Sequence, residues 1–205
     1  MEYNSEIHNR KSIRLKEYDY SSNGAYFITI CTHNHECLFE KFISLKNIVI
    51  NQLNNVPERF PDIILDAFVI MPNHLHGIFF VGAINNGQSC VGALNKGHNV
   101  GAGLAPALNI ERAGARPAPT NTMATATIGK IIGQYKSLCV NEWLQYIKKN
   151  NIDASGKFWQ RNYYEHIIRN EQSLNKIREY IINNPLKWDL DEYNPVHRTP
   201  AHNVL

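Results

Sequence analysis

The sequence predicts an α+β fold in which an antiparallel sheet is covered by helices. Two apolar, β-branched segments, 64–71 and 74–81, flank a Pro-Asn dipeptide and form a predicted hairpin. Two later segments, 128–149 and 171–183, repeat their apolar residues at helical spacing. The order of strand and helix patterns along the chain is β-α-β-β, then an insertion, then α-β-α, which favours a sheet with helices packed against it.

The remaining elements follow from local composition. Residues 26–32 are β-branched and aromatic and predict the first strand, and residues 158–168, FWQRNYYEHII, predict the last one. Apolar residues recur at helical spacing through 45–60, which predicts a helix there. Thr127 and Asn170 stand just before the two long helical patterns and are the predicted N-caps of those helices.

The length of 205 residues fits a single domain spanning 1–205. Between about 82 and 126 the composition changes to Gly, Ala, Asn and Pro, and the tripeptide VGA recurs. Such a segment buries too little apolar surface to offset its ordering entropy, so it is predicted to be a flexible insertion within the domain. The polar residues 189–205 are predicted to form a loosely ordered tail.

Charge and cysteine content limit the class of protein. The formal net charge of +3 is mildly basic and falls short of the strongly basic domains that bind duplex DNA. The four cysteines form no C-x-x-C pair, which disfavours a zinc knuckle, and they are typical of reduced thiols. The chain contains no apolar run of membrane-spanning length and no signal-peptide pattern, so a cytoplasmic protein without a membrane partner is expected.

The first pattern with chemical meaning is His74-Leu75-His76. On a strand, residues i and i+2 point to the same face, so the two imidazoles project together while Leu75 turns into the core. Such a pair can ligate a metal ion. Two surface histidines on a strand would give the same pattern, and from these residues alone both interpretations stay open.

The second pattern joins Tyr180 and Asn184 near the end of the last helix. At i and i+4 the two side chains share one helix face. A phenol in that position can attack phosphorus, and an amide oxygen beside it can complete a metal site. The alternative is a tyrosine that fills the apolar stripe and an asparagine that caps the helix before Pro185.

Basic and aromatic residues are scattered along the chain. Single-stranded nucleic acid is held by combinations of charge and stacking surface, although a solvated protein face has a similar composition. The candidates for DNA contact are Arg10, Arg14, Lys16, Lys130, Lys136, Arg161 and Arg169.

Read together, these motifs resemble a known family. The run FVIMPNHLHGIFF, followed by WQRNYYEHIIRN and then YIINNP, resembles the single-tyrosine HUH transposases, and more narrowly the REP-associated tyrosine transposases. The opening RLKEYDYSSNGAYFITICT is similar to the first strand of that family. The resemblance implies an HUH fold, which is a ferredoxin-like, RRM-like sandwich.

The resemblance also implies residue roles. His74, His76 and Asn184 would bind a divalent metal, Mg²⁺ or Mn²⁺, and Tyr180 would be the nucleophile, with Tyr163 and Tyr164 as alternatives. The implied reaction is cleavage and strand transfer of single-stranded hairpin DNA through a covalent 5′-phosphotyrosine.

Three questions remain open at this stage. A catalytically idle regulator that binds hairpin DNA would carry the same motifs, and so would a metal-dependent phosphodiesterase without a covalent intermediate. Members of the family act as monomers or as homodimers that share active sites, and the sequence favours neither.

Overall fold

The computed structural model describes residues 23–82 and 126–197. The predicted insertion, apart from its borders, lies outside the described residues, as do Arg10, Arg14 and Lys16. The strands are β1 (Gly24–Cys31), β2 (Ile63–Ile70), β3 (His74–Val81) and β4 (Tyr164–Ile168). The helices are α1 (Leu38–Lys41), α2 (Ile43–Asn54), α3 (Val56–Arg59), α4 (Ile128–Lys149) and α5 (Glu171–Asn183).

The four strands form one antiparallel sheet in the order β2-β3-β1-β4. With the intervening helices, this is the β-α-β-β-α-β arrangement of ferredoxin-like folds, followed by α5. The predicted α+β class and the antiparallel sheet are therefore confirmed. Among the described residues, no helix is both long and apolar enough to cross a bilayer.

The larger part of the core lies between one face of the sheet and helices α2 and α4. Leu75 and Phe79 of β3 point to this side and are fully buried. The apolar stripe of α4 packs against them because its residues recur at helical spacing. The buried residues of that stripe are Ile128, Ile131, Ile132, Tyr135, Cys139, Trp143 and Ile147.

Helix α5 covers the opposite face of the sheet. Its buried residues Leu174 and Ile181 pack on Ile78 and Phe80 of β3 in a smaller cluster. Because side chains alternate along a strand, the face of β3 that carries Ile78 also carries the two histidines of the H-x-H motif. Helix α5 is therefore the element that brings the C-terminal part of the chain to those histidines.

Several predicted boundaries agree with the structure. The predicted strand 74–81 and the predicted helices 128–149 and 171–183 have the observed bounds. Thr127 accepts a hydrogen bond from the Lys130 backbone N–H, and Asn170 accepts one from the Ser173 N–H, so both predicted N-caps are confirmed.

The helix predicted over 45–60 is two helices with a junction at Asn55. Pro57 lies in the first turn of α3, where its missing N–H costs no hydrogen bond.

The strand predicted over 158–168 is shorter than the sequence pattern indicates. Only Tyr164–Ile168 pairs with β1, and Trp159 forms a single bridge with Thr32. Between them, the Lys136 ammonium donates hydrogen bonds to three carbonyl groups, those of Gln160, Arg161 and Asn162. A lysine on α4 thus binds the carbonyls that a longer strand would have offered to the sheet.

Residues 189–197, which belong to the tail predicted to be loosely ordered, pack against the sheet domain. Short 3₁₀ helices span Asn184–Leu190 and Pro195–His197. Asn194 is buried, donates to the Trp188 carbonyl and accepts from the Val196 N–H. Side-chain hydrogen bonds of this kind order a polar segment without any apolar period, which is why the sequence pattern does not reveal them.

An ion pair fixes α5 to the edge of the sheet. The Arg178 guanidinium donates two hydrogen bonds of 2.7 Å to the Asp66 carboxylate on β2, and the two side chains are 23% and 19% exposed. Asp66 lies where the β2–β3 register shifts between Leu65 and Phe68. Bidentate pairing of this kind is geometrically specific, so it sets the position of α5 along β2.

We expect Arg178→Met to lower the free energy of unfolding by about 1–3 kcal/mol, because Asp66 loses its partner in a partly buried place. Urea denaturation followed by circular dichroism measures this loss. Arg169→Met, at an exposed position, is the matched control and is expected to change stability by less than about 0.5 kcal/mol. Equal midpoints for the two variants would show that the pair does not anchor the helix.

Candidate metal and nucleophile site

His74 and His76 converge on the face of the sheet that α5 covers. Both are buried, at 0% and 2% exposure, and their Nε2 atoms lie 3.1 Å apart. Leu75 between them points into the main core, as the strand period predicts. Two imidazole nitrogens this close, both withdrawn from water, are arranged to share a proton or a cation.

The hydrogen bonds of Asn73 determine the tautomer of His74. Both amide hydrogens of Asn73 are used, because its Nδ2 donates to the carbonyls of His35 and Tyr193 at 2.9 and 2.7 Å. The Oδ1 atom of Asn73 therefore accepts from His74 Nδ1 at 2.8 Å, which places the His74 proton on Nδ1. In the neutral ring, the Nε2 lone pair of His74 then faces the site, as ligation requires.

Thr29 supports the second histidine. Its Oγ1 lies 2.8 Å from His76 Nδ1, in the register position on β1 opposite His76. Burial lowers the pKa of His76 to about 3, so the ring is neutral at physiological pH. In the tautomer whose Nδ1–H donates to Thr29, the Nε2 lone pair of His76 joins that of His74 in the site.

We expect Thr29→Val to weaken Mn²⁺ binding about 10- to 100-fold, because the variant keeps the shape of the strand but loses the hydrogen bond that orients His76. Isothermal titration with Mn²⁺ measures the effect. Ser44→Ala is the control, since Ser44 donates to the Tyr146 hydroxyl on the opposite side of the sheet and is expected to affect stability alone. Unchanged Mn²⁺ affinity in Thr29→Val would show that Thr29 does not orient His76 for metal binding.

Helix α5 delivers Tyr180 to the same place. Its hydroxyl lies 3.2 Å from His76 Nε2, and its ring packs edge-on against Phe27, with 6.1 Å between the ring centroids. The residue is 45% exposed, so part of it is in contact with solvent. One chain supplies both the histidines and the tyrosine of this cluster.

The phenol of Tyr180 is a poor nucleophile without further positive charge. Burial raises its pKa above the usual value, and the negative charge of Asp191 raises it further. The nearby Asn184 amide offsets part of this rise. A cation beside the hydroxyl would favour the phenolate.

Asn184 directly follows α5 and is only 2% exposed. Neither polar atom of its amide has a partner in good hydrogen-bond geometry among the described residues, although the group lies near the Tyr180 phenol. Burying an amide in this way costs free energy unless a ligand satisfies it. The orphaned amide beside two buried imidazoles is the observation that fits a bound metal ion.

Asp191 is a site residue that the sequence reasoning missed. Its Oδ2 lies 3.9 Å from His74 Nε2, and the ligand atoms of His74, His76 and Asp191 all lie within 4.8 Å of one another. Burial raises the pKa of this carboxyl group. Asp191 belongs to an irregular segment and has no periodic relation to Asn184, so its only sequence signal is an acidic residue in a polar tail.

Tyr193 closes the side of the site next to His74. Its backbone N–H donates to Asp191 Oδ1 at 2.7 Å, and its ring packs on the rings of His74 and His35, with centroids 4.7 and 5.4 Å away. These contacts hold Asp191 in place. The nitrogen and oxygen donors of this cluster are compatible with a divalent cation.

The predicted DNA-contact residues have different surroundings. Lys130, Arg161 and Arg169 are exposed. Lys136 is occupied by the carbonyls of 160–162, so it holds the loop that carries Arg161.

The alternative nucleophiles also differ in their surroundings. Tyr163 is half-buried against the main core, and Tyr164 lies exposed on β4. Of these three tyrosines, Tyr180 is the one whose hydroxyl contacts His76.

Comparisons with known proteins give three likenesses, while no family model matches the chain. A solved structure of a REP-associated tyrosine transposase bound to a REP hairpin is 16% identical, with a TM-score of 0.46 and coverage of 85% of this chain and 74% of that one. A candidate transposase from Deinococcus radiodurans R1 is 14% identical, with a TM-score of 0.39 and coverage of 83% and 95%.

The third likeness is in sequence. An uncharacterized protein of Haemophilus influenzae is 41% identical over 199 residues, which cover 93% of this chain and 96% of that protein. At that identity and coverage, the chain belongs to the same protein family as the Haemophilus influenzae protein.

Proposed function

We propose that this protein is a DNA transposase that binds single-stranded hairpin DNA and cleaves and rejoins single strands through Tyr180. The observation that carries the proposal is the position of the Tyr180 hydroxyl, 3.2 Å from the His76 imidazole, on a residue that is 45% exposed. A nucleophilic oxygen beside a cluster of metal-ligating groups is the arrangement that phosphoryl transfer needs.

His74, His76 and Asn184 would hold a divalent cation, Mg²⁺ or Mn²⁺, with Asp191 as a further donor. Such an ion polarises a phosphate and offsets the negative charge that develops on its oxygens. Hard oxygen donors beside imidazole suit these two ions. Asn73 and Thr29 would keep both imidazoles in the tautomer with a free Nε2.

The reaction needs no external energy source. The Tyr180 oxygen forms a bond to phosphorus as the bond to the 3′ oxygen breaks, so the 5′-phosphate stays on the protein. The phenol loses its proton as the ester forms, and the released 3′ oxygen takes up a proton and becomes a hydroxyl group. Because the tyrosyl ester conserves the phosphodiester bond, attack by a 3′-hydroxyl of the same or another strand reverses the step.

The basic residues predicted from the sequence are the proposed contacts to the DNA backbone. Lys130, Arg161 and Arg169 are exposed and available for phosphate binding, and Lys136 supports the loop that carries Arg161. Arg10, Arg14 and Lys16 belong to the same proposal. Contacts of this kind make binding depend on salt, so affinity for the hairpin should fall as ionic strength rises.

A denaturing gel tests the proposal with single-stranded hairpins from the native locus, labelled at either end, in the presence of Mn²⁺. We expect the fragment on the 3′ side of the cut to remain attached to the protein and the other fragment to end in a free 3′-hydroxyl. Cleavage without an adduct would instead indicate a phosphodiesterase that uses water. Tight binding without cleavage would indicate a regulator that has lost the reaction.

A further inference from the structure

Strand β4 extends the face of the sheet that carries the site. Opposite residues of antiparallel strands project to the same face. Thr29 of β1 is opposite His76 of β3 on one side and opposite Tyr164 of β4 on the other. A row of three side chains therefore crosses the sheet from His76 through Thr29 to Tyr164.

The next row along the sheet contains Ile78 of β3, Phe27 of β1 and His166 of β4. Phe27 on β1 is opposite His166 on β4, and Phe27 stacks on the His76 ring with 5.2 Å between centroids and 25° between planes. Aromatic rings thus continue from His76 toward the edge strand.

This part of the sheet is open, although the rest of the face is covered. Tyr164 is 47% exposed and His166 is exposed, whereas Ile168, two residues farther along β4, is buried under α5. Helix α5 therefore covers one end of β4 and leaves the end nearest the site uncovered. The half-exposed ring of Tyr164 therefore offers an aromatic face to a ligand beside the site.

Basic residues flank β4 in the sequence, while the carboxylates of Asp191 and Glu192 act on Tyr180 at the other end of the site. Glu165, the carboxylate of β4, belongs to the alternate set of side chains and points to the opposite face. Exposed Arg161 and Arg169 lie just before and just after the strand. On α5, exposed Lys176 is one turn before Tyr180 on the same side of the helix.

We propose that Tyr164, with His166 and Phe27 beside it, forms a stacking platform for unpaired bases of the DNA strand that Tyr180 cuts. The platform rests on the proposed function and names how its substrate is held. Bases in a duplex are already stacked on each other, whereas single-stranded bases present free faces to aromatic side chains. The flanking arginines and Lys176 would bind the phosphates of the same strand.

The spacing suits a short stretch of DNA. Neighbouring strands lie about 4.8 Å apart, so Tyr164 is about 10 Å from His76, two strands away. At about 3.4 Å per stacked nucleotide, this distance corresponds to three nucleotides or fewer. The platform would therefore hold bases immediately next to the scissile phosphate, which aligns that phosphate with the Tyr180 hydroxyl.

Fluorescence anisotropy tests the platform with two DNA probes, a blunt hairpin and the same hairpin carrying a single-stranded tail of about eight nucleotides. The tail is placed at the 5′ end in one series and at the 3′ end in another. The ratio of the two Kd values gives the contribution of the tail. We expect Tyr164→Val, which suits a strand but cannot stack, to reduce that contribution about ten-fold.

Three controls separate stacking from structure. Tyr164→Phe keeps the ring and should keep the contribution of the tail, and Leu144→Ala, at an exposed position on α4, should resemble the wild type. All variants should bind the blunt hairpin equally. Abasic sites in the tail next to the cut should weaken binding by the wild type and have little effect on Tyr164→Val.

The platform is wrong if the tail adds no affinity in the wild type, or if the tail contributes as much in Tyr164→Val as in the wild type. It is also wrong if Tyr164→Val weakens binding of the blunt hairpin as much as binding of the tailed hairpin. These readouts measure binding and need no cleavage. A wild type that forms no covalent adduct but whose tail binding depends on Tyr164 would overturn the proposed reaction and leave the platform standing. A covalent adduct in the wild type, together with tail binding that does not depend on Tyr164, would support the proposed reaction and overturn the platform.

Discussion

Tyr180→Phe is expected to abolish the covalent protein–DNA adduct and to slow strand cleavage at least about a thousand-fold. The variant removes only the oxygen that would bond to phosphorus. The ring contacts with Phe27 and His76 remain, so the fold and the affinity for hairpin DNA should be unchanged. Single-turnover cleavage with excess protein measures the rate, and anisotropy measures the affinity.

Two other tyrosines serve as matched controls for this experiment. Tyr163→Phe and Tyr164→Phe also remove one hydroxyl each, but from residues outside the contact with His76. Both variants should form the adduct at a rate close to that of the wild type. If Tyr180→Phe still formed an adduct while one of these variants did not, the nucleophile would have been misassigned.

The second large effect concerns the metal. Saturating Mn²⁺ at about a hundred times its Kd should stabilise the wild type by about 2.7 kcal/mol, which raises the Tm by several degrees. His74→Gln and His76→Gln should lose this rise together with DNA cleavage. His33→Gln, in the loop after β1, is the control and should keep both. A full Mn²⁺ response in either site variant would exclude that histidine as a ligand.

Asn184→Ala distinguishes a ligand from a structural residue. Its buried amide has no hydrogen-bond partner in good geometry among the described residues, so its removal should cost little stability in the absence of metal. The Mn²⁺-induced rise in Tm should nevertheless be smaller than in the wild type. Loss of metal-free stability with an unchanged Mn²⁺ response would assign Asn184 a purely structural role.

The sequence alone predicts the elements whose residues follow a period. The alternation in β3 places His74 and His76 on one face, and the helical stripes of α4 and α5 give both helices their observed bounds. The same periodicity puts Tyr180 and Asn184 on one side of α5. These patterns are local, so they can be recognised in the amino-acid sequence without knowledge of the fold.

The remaining site residues depend on contacts between distant parts of the chain. Asp191 and Tyr193 reach His74 through an irregular segment ordered by side-chain hydrogen bonds, and Thr29 faces His76 only because β1 pairs with β3 in one register. Lys136 shortens the predicted last strand by binding carbonyls about 25 residues away. None of these long-range contacts produces a periodic pattern in the amino-acid sequence.

The difference in exposure between the ligands and the nucleophile is consistent with the proposed chemistry. His74 and His76 are buried and held by Asn73 and Thr29, so the ligand geometry is set before a substrate arrives. Tyr180 is half exposed and can contact a phosphate from solvent. Arg178 lies two residues before Tyr180, and its ion pair with Asp66 keeps the helix in register.

Mass spectrometry of the covalent adduct tests the central claim most directly. The wild-type protein is incubated with single-stranded hairpin DNA and Mn²⁺, and the product is digested with nuclease and trypsin. We expect a nucleotide phosphate on the peptide 179–187, whose only tyrosine is Tyr180. A modification on 162–169, which contains Tyr163 and Tyr164, or cut DNA without any modified peptide, would contradict the assignment of Tyr180 as the nucleophile.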